Sequence, residues 1–390
     1  MLVLTYWSYD DALVQTYTLP YVRIITTKIE GKVHLVTLDR NAAESGRETG
    51  DPRIVHHGFR YVPFGLRAVW VMVGVVWKLL RIIRKERVDV IHAWCTPAGA
   101  VGYLLSILSG RPLIIDSYEP HAEAMVENGT WKKDSWAFRI LFKLEKLQTH
   151  RAAHLIAAAH GMQTYAADRY DHHGPMYVKP ACVEINDFPL ERDARLLEEL
   201  HLNDKLVMVY AGKFGGIYLK EEVFHFFRQA QEHWGDRLHI LLLTNHSMGE
   251  LRPLMEKAGL DETIFTIRFV PHAEIPRYLS LADIGITPVK PVPTKKYCTP
   301  IKDGEYWAAG LLVIITPEIS DDSRIVEDEN IGVVLRSFDR EGYRKAVQDI
   351  DRLLEKVPRE LSRAHIRSVA MKYRSFDRAE KIYEAIYGKR

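Results

Sequence analysis

The chain contains 390 residues, of which 47% are hydrophobic and 27% are charged, so it has material for a large core and exceeds the size at which single cores usually stop growing. We therefore expect two domains. The 53 Lys and Arg residues nearly balance the 51 Asp and Glu residues, and a formal charge of +2 gives no reason to expect a nucleic-acid partner.

Cysteine usage and the N-terminal sequence predict a cytoplasmic protein. Cys95, Cys182 and Cys298 lie far apart and form no C-x-x-C pair, which argues against a disulfide scaffold or a zinc knuckle. The first residues, MLVLTYWSYDD, contain no basic segment and no small-residue cleavage site, so we interpret them as a first strand and expect no signal peptide.

Apolar strands alternate with amphipathic helices along the first half of the chain, a pattern that predicts a parallel sheet covered by helices on both faces. The predicted strands are LVLTYW, VHLVTL, VDVIHAW, PLIIDS, AHLIAAA and MYVKPACV. The predicted helices lie near 12–28, near 67–86, from Ala98 onward, over 134–152 and near 160–170.

No stretch reaches the ~18 to 20 apolar residues that a membrane-spanning helix needs, and RAVWVMVGVVWKLLRIIRKER, residues 67–87, comes closest. Two interpretations remain open. In the first, the segment is an ordinary half-buried helix. In the second, the side of the helix that bears Trp70 and Trp77 lies on a membrane surface, and its basic residues face anionic headgroups. We favour a combination in which one face packs on the domain and the basic end is available to lipid.

Residues 184–204 lose the strand pattern, and Pro189 and the many charges of this segment favour a link between domains. The alternation then resumes with the strands KLVMVYA, LHILLLT, FTIRFV, DIGITPV and LLVIIT. These two series predict an α/β protein with two Rossmann-like domains that face each other across a cleft. The carboxyl ends of the strands, where open α/β sheets bind ligands, would point into that cleft.

The expected boundaries are an N-terminal domain over 1–184, a linker over 185–204 and a C-terminal domain over 205–365. Residues 366–390 have helical spacing with an interruption around Ser375 and Phe376. We expect this last segment to pack back on the N-terminal domain.

The sequence VYAGKFGGIYLKEEV predicts a phosphate-binding loop. Gly212, Gly215 and Gly216 follow a strand and permit tight turning close to a ligand, and a helix begins near Leu219. The loop is neither G-x-G-x-x-G nor a Walker A sequence, which argues against a dehydrogenase or an ATPase.

Three lysines are expected on loops that face the cleft. Lys213 lies at a strand end, Lys220 in the first turn of its helix, and Lys302 in the first turn of a helix that Thr299 caps and Pro300 opens. A cation in a first turn opposes the helix dipole, and a bound anion would reverse that penalty. Each lysine alone is more simply explained as reaching into water, but together they favour a diphosphate site.

Glu305 stands one turn beyond Lys302 on the same helical face. One interpretation is a simple ion pair on a solvated surface. The interpretation we favour is that its two oxygens accept hydrogen bonds from a vicinal diol such as a ribose, while the lysine contacts the phosphates. Ala308, Ala309 and Gly310 behind it would allow close packing of helix and sheet.

Taken together, these stretches resemble retaining glycosyltransferases of the GT-B fold, family 4, over nearly the whole chain. The matching sequences are VDVIHAW, AHLIAAAHGM, VKPACVEINDF, VYAGKFGGIYLK, FVPHAEIPRYLSLADIGITPV and PIKDGEYWAAGLLVI. The resemblance implies that Lys213 and Lys220 bind the donor diphosphate and that Glu305 binds the nucleotide ribose. Gly215 and Gly216, in the loop between these lysines, are predicted from the residues themselves to bind the donor.

The stretch IIDSYEPHAEAM carries the expected site residues of the first domain. The resemblance implies that His121 lies beside the donor sugar, although a single loop histidine is more often a surface or capping residue. Asp116 and Glu119 add polar groups at the same strand end, which favours a site on the sugar or acceptor side. His92 is interpreted as a structural histidine.

Two departures from the family pattern concern the donor. Tyr297 stands eight positions before Glu305, where the family often has another glutamate near the transferred sugar. The sequence SYDDAL replaces the glycine pair that usually follows the first strand. The identity of the donor therefore stays open.

We expect no metal and no cofactor, because the resemblance implies that lysines and helix dipoles stabilise the leaving diphosphate. Pairs of neighbouring aspartates are common, and we interpret those of this chain as solvated. They are Asp10 with Asp11, Asp321 with Asp322, and Asp349 with Asp351.

The predicted function is transfer of a hexose, with retention at the anomeric carbon, from a UDP- or GDP-sugar to a saccharide or lipid-linked acceptor of cell-surface polysaccharide or glycolipid synthesis. Lys213, Lys220 and nearby helix amides would stabilise the leaving diphosphate, assisted by Lys302. The expected location is the cytoplasm, peripheral to the inner face of the plasma membrane through residues 67–87. Two alternatives remain open: a nucleotide-sugar epimerase of the same fold, and a non-catalytic nucleotide-sugar-binding partner.

Overall fold

The computed structural model describes residues 1–11, 13–40, 46–62 and 66–388, except for the side chains of residues 66–69. The chain forms two compact units. Unit 1 contains Met1–Pro180 together with the segment from Asp377 onward, and unit 2 contains Ala181–Phe376. Residues 185–204, predicted above as a linker, lie within unit 2.

Within the described residues of unit 1, parallel strands form one seven-stranded sheet in the spatial order β3-β2-β1-β4-β5-β6-β7. The strands are β1 (Leu2–Leu4), β2 (Val33–Asp39), β3 (Ile54–Arg60), β4 (Ile91–Trp94), β5 (Leu113–Tyr118), β6 (Ala152–Ala157) and β7 (Tyr177–Val178). β1 lies between β2 and β4, so the direction of strand addition reverses there. The carboxyl ends of the strands beside such a reversal are where open α/β sheets bind ligands.

The helices of unit 1 connect these strands, and a π-helical turn, Leu13–Thr18, precedes the first of them. They are α1 (Leu19–Lys28), α2 (Leu66–Lys85), α3 (Cys95–Ser109), α4 (His121–Glu127), α5 (Trp136–Arg151) and α6 (Gly161–Tyr170). The Ser135 side chain caps α5 by accepting a hydrogen bond from the Phe138 amide. The helices α2, α3 and α5 pack side by side, with α3 in contact with both of the others.

Strand β3 is absent from the strands predicted above, because histidines occupy two of its positions. His56 is buried, and its Nε2 lies 2.8 Å from the Thr37 hydroxyl. His57 Nε2 lies 3.0 Å from His34 Nδ1 on β2. Burial lowers the pKa of His34 to about 4, so neutral imidazoles hold this edge of the sheet together.

The sheet of unit 2 repeats the topology of the first, with the order β10-β9-β8-β11-β12-β13 in the described residues. The strands are β8 (Leu206–Ala211), β9 (Leu238–Leu243), β10 (Phe265–Arg268), β11 (Ile284–Thr287), β12 (Leu312–Ile315) and β13 (Gly332–Val334). All pairings are parallel, and the order reverses between β8 and β11. The prediction of two Rossmann-like sheets is confirmed.

The helices of unit 2 connect its strands and continue beyond the last of them. They are α7 (Ala194–Glu199), α8 (Glu221–Trp234), α9 (Met248–Ala258), α10 (Ile275–Leu279), α11 (Ile301–Ala308), α12 (Asp322–Asp328), α13 (Arg340–Lys356) and α14 (Arg359–Arg374). A capping box begins α9: Ser247 accepts from the Glu250 amide while the Glu250 carboxylate accepts from the Ser247 amide.

Gly310 allows α14 to pack against the end of α11. Its φ of 74° favours glycine, and a Cβ atom there would lie 2.9 Å from the Arg363 carbonyl oxygen. The buried Arg363 guanidinium donates to the carbonyl groups of Ser280 and Ala309, at 3.1 and 3.0 Å, which end α10 and α11. The small residues after α11 thus permit a close helix contact.

The chain returns to unit 1 in α15 (Phe376–Tyr387), after a break at Ser375, whose ψ of 151° leaves the helical region. Lys28 Nζ on α1 lies 3.0 Å from a Glu384 carboxylate oxygen. His92 Nδ1 on β4 lies 2.5 Å from the Tyr387 hydroxyl. Within unit 1, α15 is therefore tied to both the sheet and α1.

In the described part of the chain, none of the helices combines the length and the apolar character needed to cross a bilayer. In the described residues the cysteines form no disulfide, and Cys95 and Cys182 are buried.

Candidate active site

The loop after β8 approaches the start of α11. Gly212 has a φ of 146°, and a Cβ atom at this position would lie 2.8 Å from Nζ of Lys302. The Tyr210 hydroxyl donates a hydrogen bond to the Lys213 carbonyl, which folds the loop back on β8. The absence of a side chain at Gly212 therefore lets the ammonium lie against the loop backbone.

Lys302 is buried between two tyrosine rings and is only 8% exposed. Its Nζ lies 4.5 Å from the centre of the Tyr210 ring and 4.1 Å from that of Tyr218. Among the described residues, Nζ has no hydrogen-bond partner. Burial lowers the pKa of Lys302 to about 8, against the opposing charges of Asp303 and Glu305. The side chain thus does not reach into water and retains its hydrogen bonds for an anion.

Lys213 and Lys220 belong to the same loop, but their side chains are exposed. Lys220 immediately precedes α8 instead of lying in its first turn. The Leu219 amide donates to the Pro288 carbonyl at 2.8 Å, which ties this end of the loop to the residue after β11. The structure therefore brings the loop backbone to Lys302 and leaves the two other lysines in solvent.

Gly215 and Gly216 form the turn of this loop. Their φ angles are 81° and 62°, and a Cβ atom on either would meet no other atom within 4 Å. Their backbone is consequently open to a ligand, as the prediction of a phosphate-binding loop requires.

Glu305 is paired with a histidine that the sequence did not single out. Its side chain is 11% exposed, and its Oε1 lies 3.1 Å from Nε2 of His272, which follows β10. The hydrogen bond to Glu305 raises the pKa of His272, against the opposing effect of burial. The alternative of a surface ion pair between Glu305 and Lys302 is not what the structure shows. The sequence could have indicated His272 as a site residue, because it lies in VPHAEIP, between a strand and a helix at the carboxyl edge of the sheet.

Asp303 and Asp322 form a buried carboxyl pair beneath Lys302. Asp303 accepts from the Thr287 hydroxyl, and Arg374, at the end of α14, donates to Asp322. Burial raises the pKa of both carboxyl groups, while the charge of Arg374 opposes the shift. The interpretation of Asp322 as solvated is therefore wrong, because the ion pair with Arg374 draws it into the core.

The start of α11 differs from the prediction in its cap. Pro300 occupies the N-cap position without a side-chain hydrogen bond. Thr299 therefore precedes the N-cap position, and its hydroxyl lies 3.1 Å from that of Ser320. Tyr297 ends a short 3-10 helix, Pro293–Tyr297, and is buried.

Asp116 lies inside β5 and is fully buried, which corrects its placement on the sugar side of a site. Its Oδ1 lies 3.1 Å from Lys179 Nζ, its Oδ2 accepts from the Tyr383 hydroxyl at 2.7 Å, and His92 Nε2 is 3.4 Å away. Burial opposes ionisation, but Lys179 and His92 outweigh it and hold the pKa of Asp116 at about 2. The hydrogen bond from Tyr383 to Asp116 thus connects α15 to β5, and His92 is buried in the same cluster.

Glu119 and His121 follow β5 at the carboxyl edge of the unit 1 sheet. His121 is the first residue of α4, and its Nδ1 lies 3.8 Å from Glu119 Oε1, with side chains 18% and 30% exposed. The ring centre of Tyr6, just after β1, lies 6.5 Å from that of His121. The ends of β1 and β5 thus bring three partly exposed polar side chains together.

Glu145 contacts the backbone next to this cluster, and the sequence analysis did not single it out as a site residue. It is fully buried on α5, where its Oε1 accepts from the Ala122 amide and its Oε2 from the Tyr170 hydroxyl, both at 2.9 Å. Burial raises the pKa of Glu145 to about 7. Because Ala122 follows His121, the carboxyl fixes the turn that carries the histidine. The sequence could have indicated Glu145, because it is a lone carboxylate on the inward face of a predicted helix.

A cavity of about 500 Å³ lies elsewhere in unit 2, between β13 and α13. Its charged lining side chains are largely paired with each other, as in Arg336 with Glu327 at 2.6 Å and Lys345 with Asp349 at 2.8 Å. Within the described residues, no group of three or more His, Cys, Asp or Glu side chains is arranged to hold a metal ion.

Comparisons with known proteins agree with this architecture. Residues 30–187 match the model of a family described as Glycosyltransferase Family 4. A search of curated protein sequences gives no match.

Solved structures resemble the chain over its whole length. A sucrose-phosphate synthase from Thermosynechococcus elongatus has a TM-score of 0.77 at 15% identity, covering 99% of this chain and 98% of that one. The Anabaena protein HepE in complex with UDP has a TM-score of 0.73 at 14% identity, covering 99% of both chains. WaaG, a glycosyltransferase involved in lipopolysaccharide biosynthesis, has a TM-score of 0.71 at 13% identity and covers 100% of both. At such identities the likeness establishes the fold.

The protein thus has the GT-B fold of glycosyltransferases, two Rossmann-like units in one chain. The predicted resemblance to family 4 is confirmed, with the family match located in residues 30–187.

Proposed function

We propose that the protein is a retaining glycosyltransferase that moves a hexose from a UDP- or GDP-sugar to a saccharide or lipid-linked acceptor in cell-surface polysaccharide or glycolipid synthesis. The observation that carries this proposal is the buried ammonium of Lys302, which lies against a glycine loop and one helical turn from Glu305. The complexes of the Anabaena protein with UDP and with UDP-glucose support a nucleotide-sugar as the donor.

Unit 2 binds the donor in this proposal. The diphosphate lies along the loop of Gly215 and Gly216, where Lys302 donates the hydrogen bonds that it does not make in the free protein. The two ribose hydroxyls donate to Glu305, whose Oε1 lies 3.1 Å from Nε2 of His272 in the free protein.

Catalysis would rest on charge stabilisation. As the bond between the sugar and the diphosphate breaks, negative charge grows on the diphosphate. Lys302 is already desolvated, so it needs little reorganisation to stabilise that charge. Lys213 and Lys220, which are exposed in the free protein, would close on the same group. Neither a metal ion nor an organic cofactor is part of this proposal.

Unit 1 would supply the residues for the sugar and the acceptor. His121 orients the transferred sugar through a hydroxyl group, and Glu119 shapes the acceptor side. Glu145 fixes the turn that carries His121. Retention at the anomeric carbon follows from the family resemblance, and the Asp116 carboxylate plays no part because it is buried.

The proposed location is the cytoplasm, in peripheral contact with the inner face of the plasma membrane through residues 67–87. The exposed Trp70 and Trp77, together with the basic end of α2, support this contact. A lipid-linked acceptor would be reached from that surface.

A second candidate is a non-catalytic binding partner of another transferase, which the buried Tyr297 favours because it replaces an expected acidic residue. Incubation of the donor without an acceptor separates the candidates. Slow release of sugar indicates a transferase, interconversion of the sugar indicates an epimerase, and tight binding without turnover indicates a binding partner.

Donor binding itself is tested by a thermal-shift screen of UDP-, GDP- and ADP-sugars, followed by calorimetry with the sugar that binds. Glu305→Ala should weaken binding about tenfold to a hundredfold, because it removes charge-assisted hydrogen bonds worth about 1.5 to 3 kcal/mol. The matched control is Glu256→Ala, an exposed position on α9. Equal affinities of the two variants would remove Glu305 from the site.

A further inference from the structure

Exposed apolar side chains are concentrated on one face of unit 1. Of the thirteen exposed large hydrophobic side chains in the described part of the chain, nine lie on α2, α3 and α5. They are Trp70, Val73, Trp77, Leu104, Ile107, Leu108, Trp136, Ile140 and Leu147. Because α3 contacts both other helices, these residues share one helical layer, which we call the three-helix face.

On α5 the exposed apolar residues follow helical spacing. Trp136, Ile140 and Leu147 recur at intervals of four and seven residues and therefore form one stripe. Trp136 is 80% exposed, close to the 79% of Trp70 on α2. An apolar stripe on the outer side of a helix is unusual for a soluble monomer and marks an interaction surface.

The charges of the three-helix face have one sign. The helices α2, α3 and α5 contain a single acidic residue, Glu145, which is fully buried. The exposed basic side chains of the face are Lys78, Arg81, Arg84 and Lys85 on α2, and Arg139, Lys143, Lys146 and Arg151 on α5. Any partner of this face therefore meets tryptophan, aliphatic side chains and positive charge, with no exposed carboxylate from these helices.

We infer that the three-helix face binds the surface of a bilayer containing anionic lipid. Indole rings prefer the boundary between headgroups and hydrocarbon, and each Lys or Arg near an anionic surface adds about 1 kcal/mol. A protein partner fits less well, because lysine is depleted from protein interfaces. The inference extends the membrane contact proposed for residues 67–87 and rests on that proposal for α2. The role of α3 and α5 rests on their own exposed residues.

The test is co-sedimentation of the full-length protein with vesicles of phosphatidylcholine, alone or with 30% phosphatidylglycerol. The wild type should bind the anionic vesicles, and binding should fall as salt is raised. Trp136→Ser/Ile140→Ser on α5 should lower the partition coefficient about tenfold or more. The control, Leu361→Ser/Met371→Ser, removes two exposed apolar side chains from α14 and should bind like the wild type.

Charge is tested in the same way. Lys143→Glu/Lys146→Glu should lower partition at least about thirtyfold, since two favourable contributions are lost and two repulsive charges are added. Lys356→Glu/Lys381→Glu makes the same change in net charge at exposed positions of α13 and α15. This control should retain most of the binding.

The inference would be overturned by no binding of the wild type to anionic vesicles, or by equal loss of binding in the α5 variants and their controls. A dimer in sedimentation velocity that the α5 variants dissociate would also overturn it, with a second copy of the chain as the partner. Donor affinity keeps this test separate from the proposed function, because the α5 variants should bind the nucleotide-sugar like the wild type. Vesicle binding without sugar transfer would refute the proposed function alone.

Discussion

The ammonium of Lys302 lies 4.1 Å from the centre of the Tyr218 ring, and a Cβ atom added to Gly212 would fall 2.8 Å from it. A cation in this position is attracted by the ring but has lost its hydration. The arrangement destabilises the free protein and favours the state in which an anion completes the hydrogen bonds of the ammonium.

Replacing Lys302 by methionine should stabilise the free protein by about 1 to 3 kcal/mol at pH 7, because a buried charge is exchanged for an apolar chain of similar length. The pKa of Lys302 is about 8 in the folded protein against 10.5 ordinarily, so between these values the unfolded chain binds more protons. Wild-type stability should therefore rise with pH through this window, and that of the variant should not.

Thermal unfolding at pH 7 and pH 9, with exposed Lys356→Met as the control, measures this effect. Lys302→Met should also lose affinity for the nucleotide-sugar. A variant that is less stable than the wild type yet binds the donor normally would show that Lys302 is a structural residue.

Donor affinity should rise with pH through the pKa of His272, which Glu305 raises above its ordinary value. The ribose hydroxyls and the imidazolium compete for the same carboxylate oxygen, so donor binding weakens the pair and releases a proton. Affinity measured by calorimetry at pH 6 and pH 8 should improve about threefold to tenfold. A nucleotide-sugar is used because its phosphates do not titrate in this range.

His272→Gln keeps a hydrogen-bond donor without the charge and should give an affinity that is nearly independent of pH. An unchanged pH dependence in this variant would assign the effect to another group. A fall in affinity from pH 6 to pH 8 in the wild type would show that the imidazolium assists the donor.

Lys220→Ala should lower turnover more than it raises the Michaelis constant, because the lysine is proposed to act on the charge that develops as the donor breaks. A reduction of kcat of about a hundredfold is expected for the loss of one such group. The matched control is Lys257→Ala on α9, an exposed lysine. A change confined to the Michaelis constant would restrict Lys220 to ground-state binding.

Asp116→Asn should destabilise unit 1 by about 3 to 5 kcal/mol, because it removes the countercharge of the buried Lys179. The double variant with Lys179→Met should recover much of this loss. The pKa of Asp116 is about 2 against 3.8 ordinarily, so the wild type keeps about 2 kcal/mol above pH 4 that disappears as the pH falls towards 2.

Urea unfolding of these variants at pH 7 provides the measurement, followed by fluorescence of the tryptophans. If the double variant is no more stable than Asp116→Asn, the carboxylate acts through its hydrogen bond to Tyr383 and not through its charge.

The repeated strand and helix pattern predicted both sheets, because long apolar runs between amphipathic helices have few alternative structures. It failed at β3, where His56 satisfies its polar group against Thr37 inside the sheet. Such a partner depends on the pairing of two strands and cannot be read from either strand alone.

The sequence predicted which site residues lie close together only where they belong to the same helix. Lys302 and Glu305 share a helical face by spacing, whereas the pairing of Glu305 with His272 joins residues 33 positions apart. Asp116 was predicted as a site residue because it lies near a strand end. Its partner Tyr383 follows it by 267 positions, and this contact places the carboxylate in the core. Long-range contacts of this kind decide which polar residues remain accessible.

The return of α15 to the first unit has a consequence for how the chain folds as it is made. Tyr383 and Tyr387 complete the core around Asp116 and His92, yet they are synthesised after the whole of unit 2. During synthesis the polar cluster of the N-terminal sheet therefore stays open until these two tyrosines of α15 have left the ribosome. Deleting α15 would therefore destabilise unit 1, the part of the molecule that is translated first.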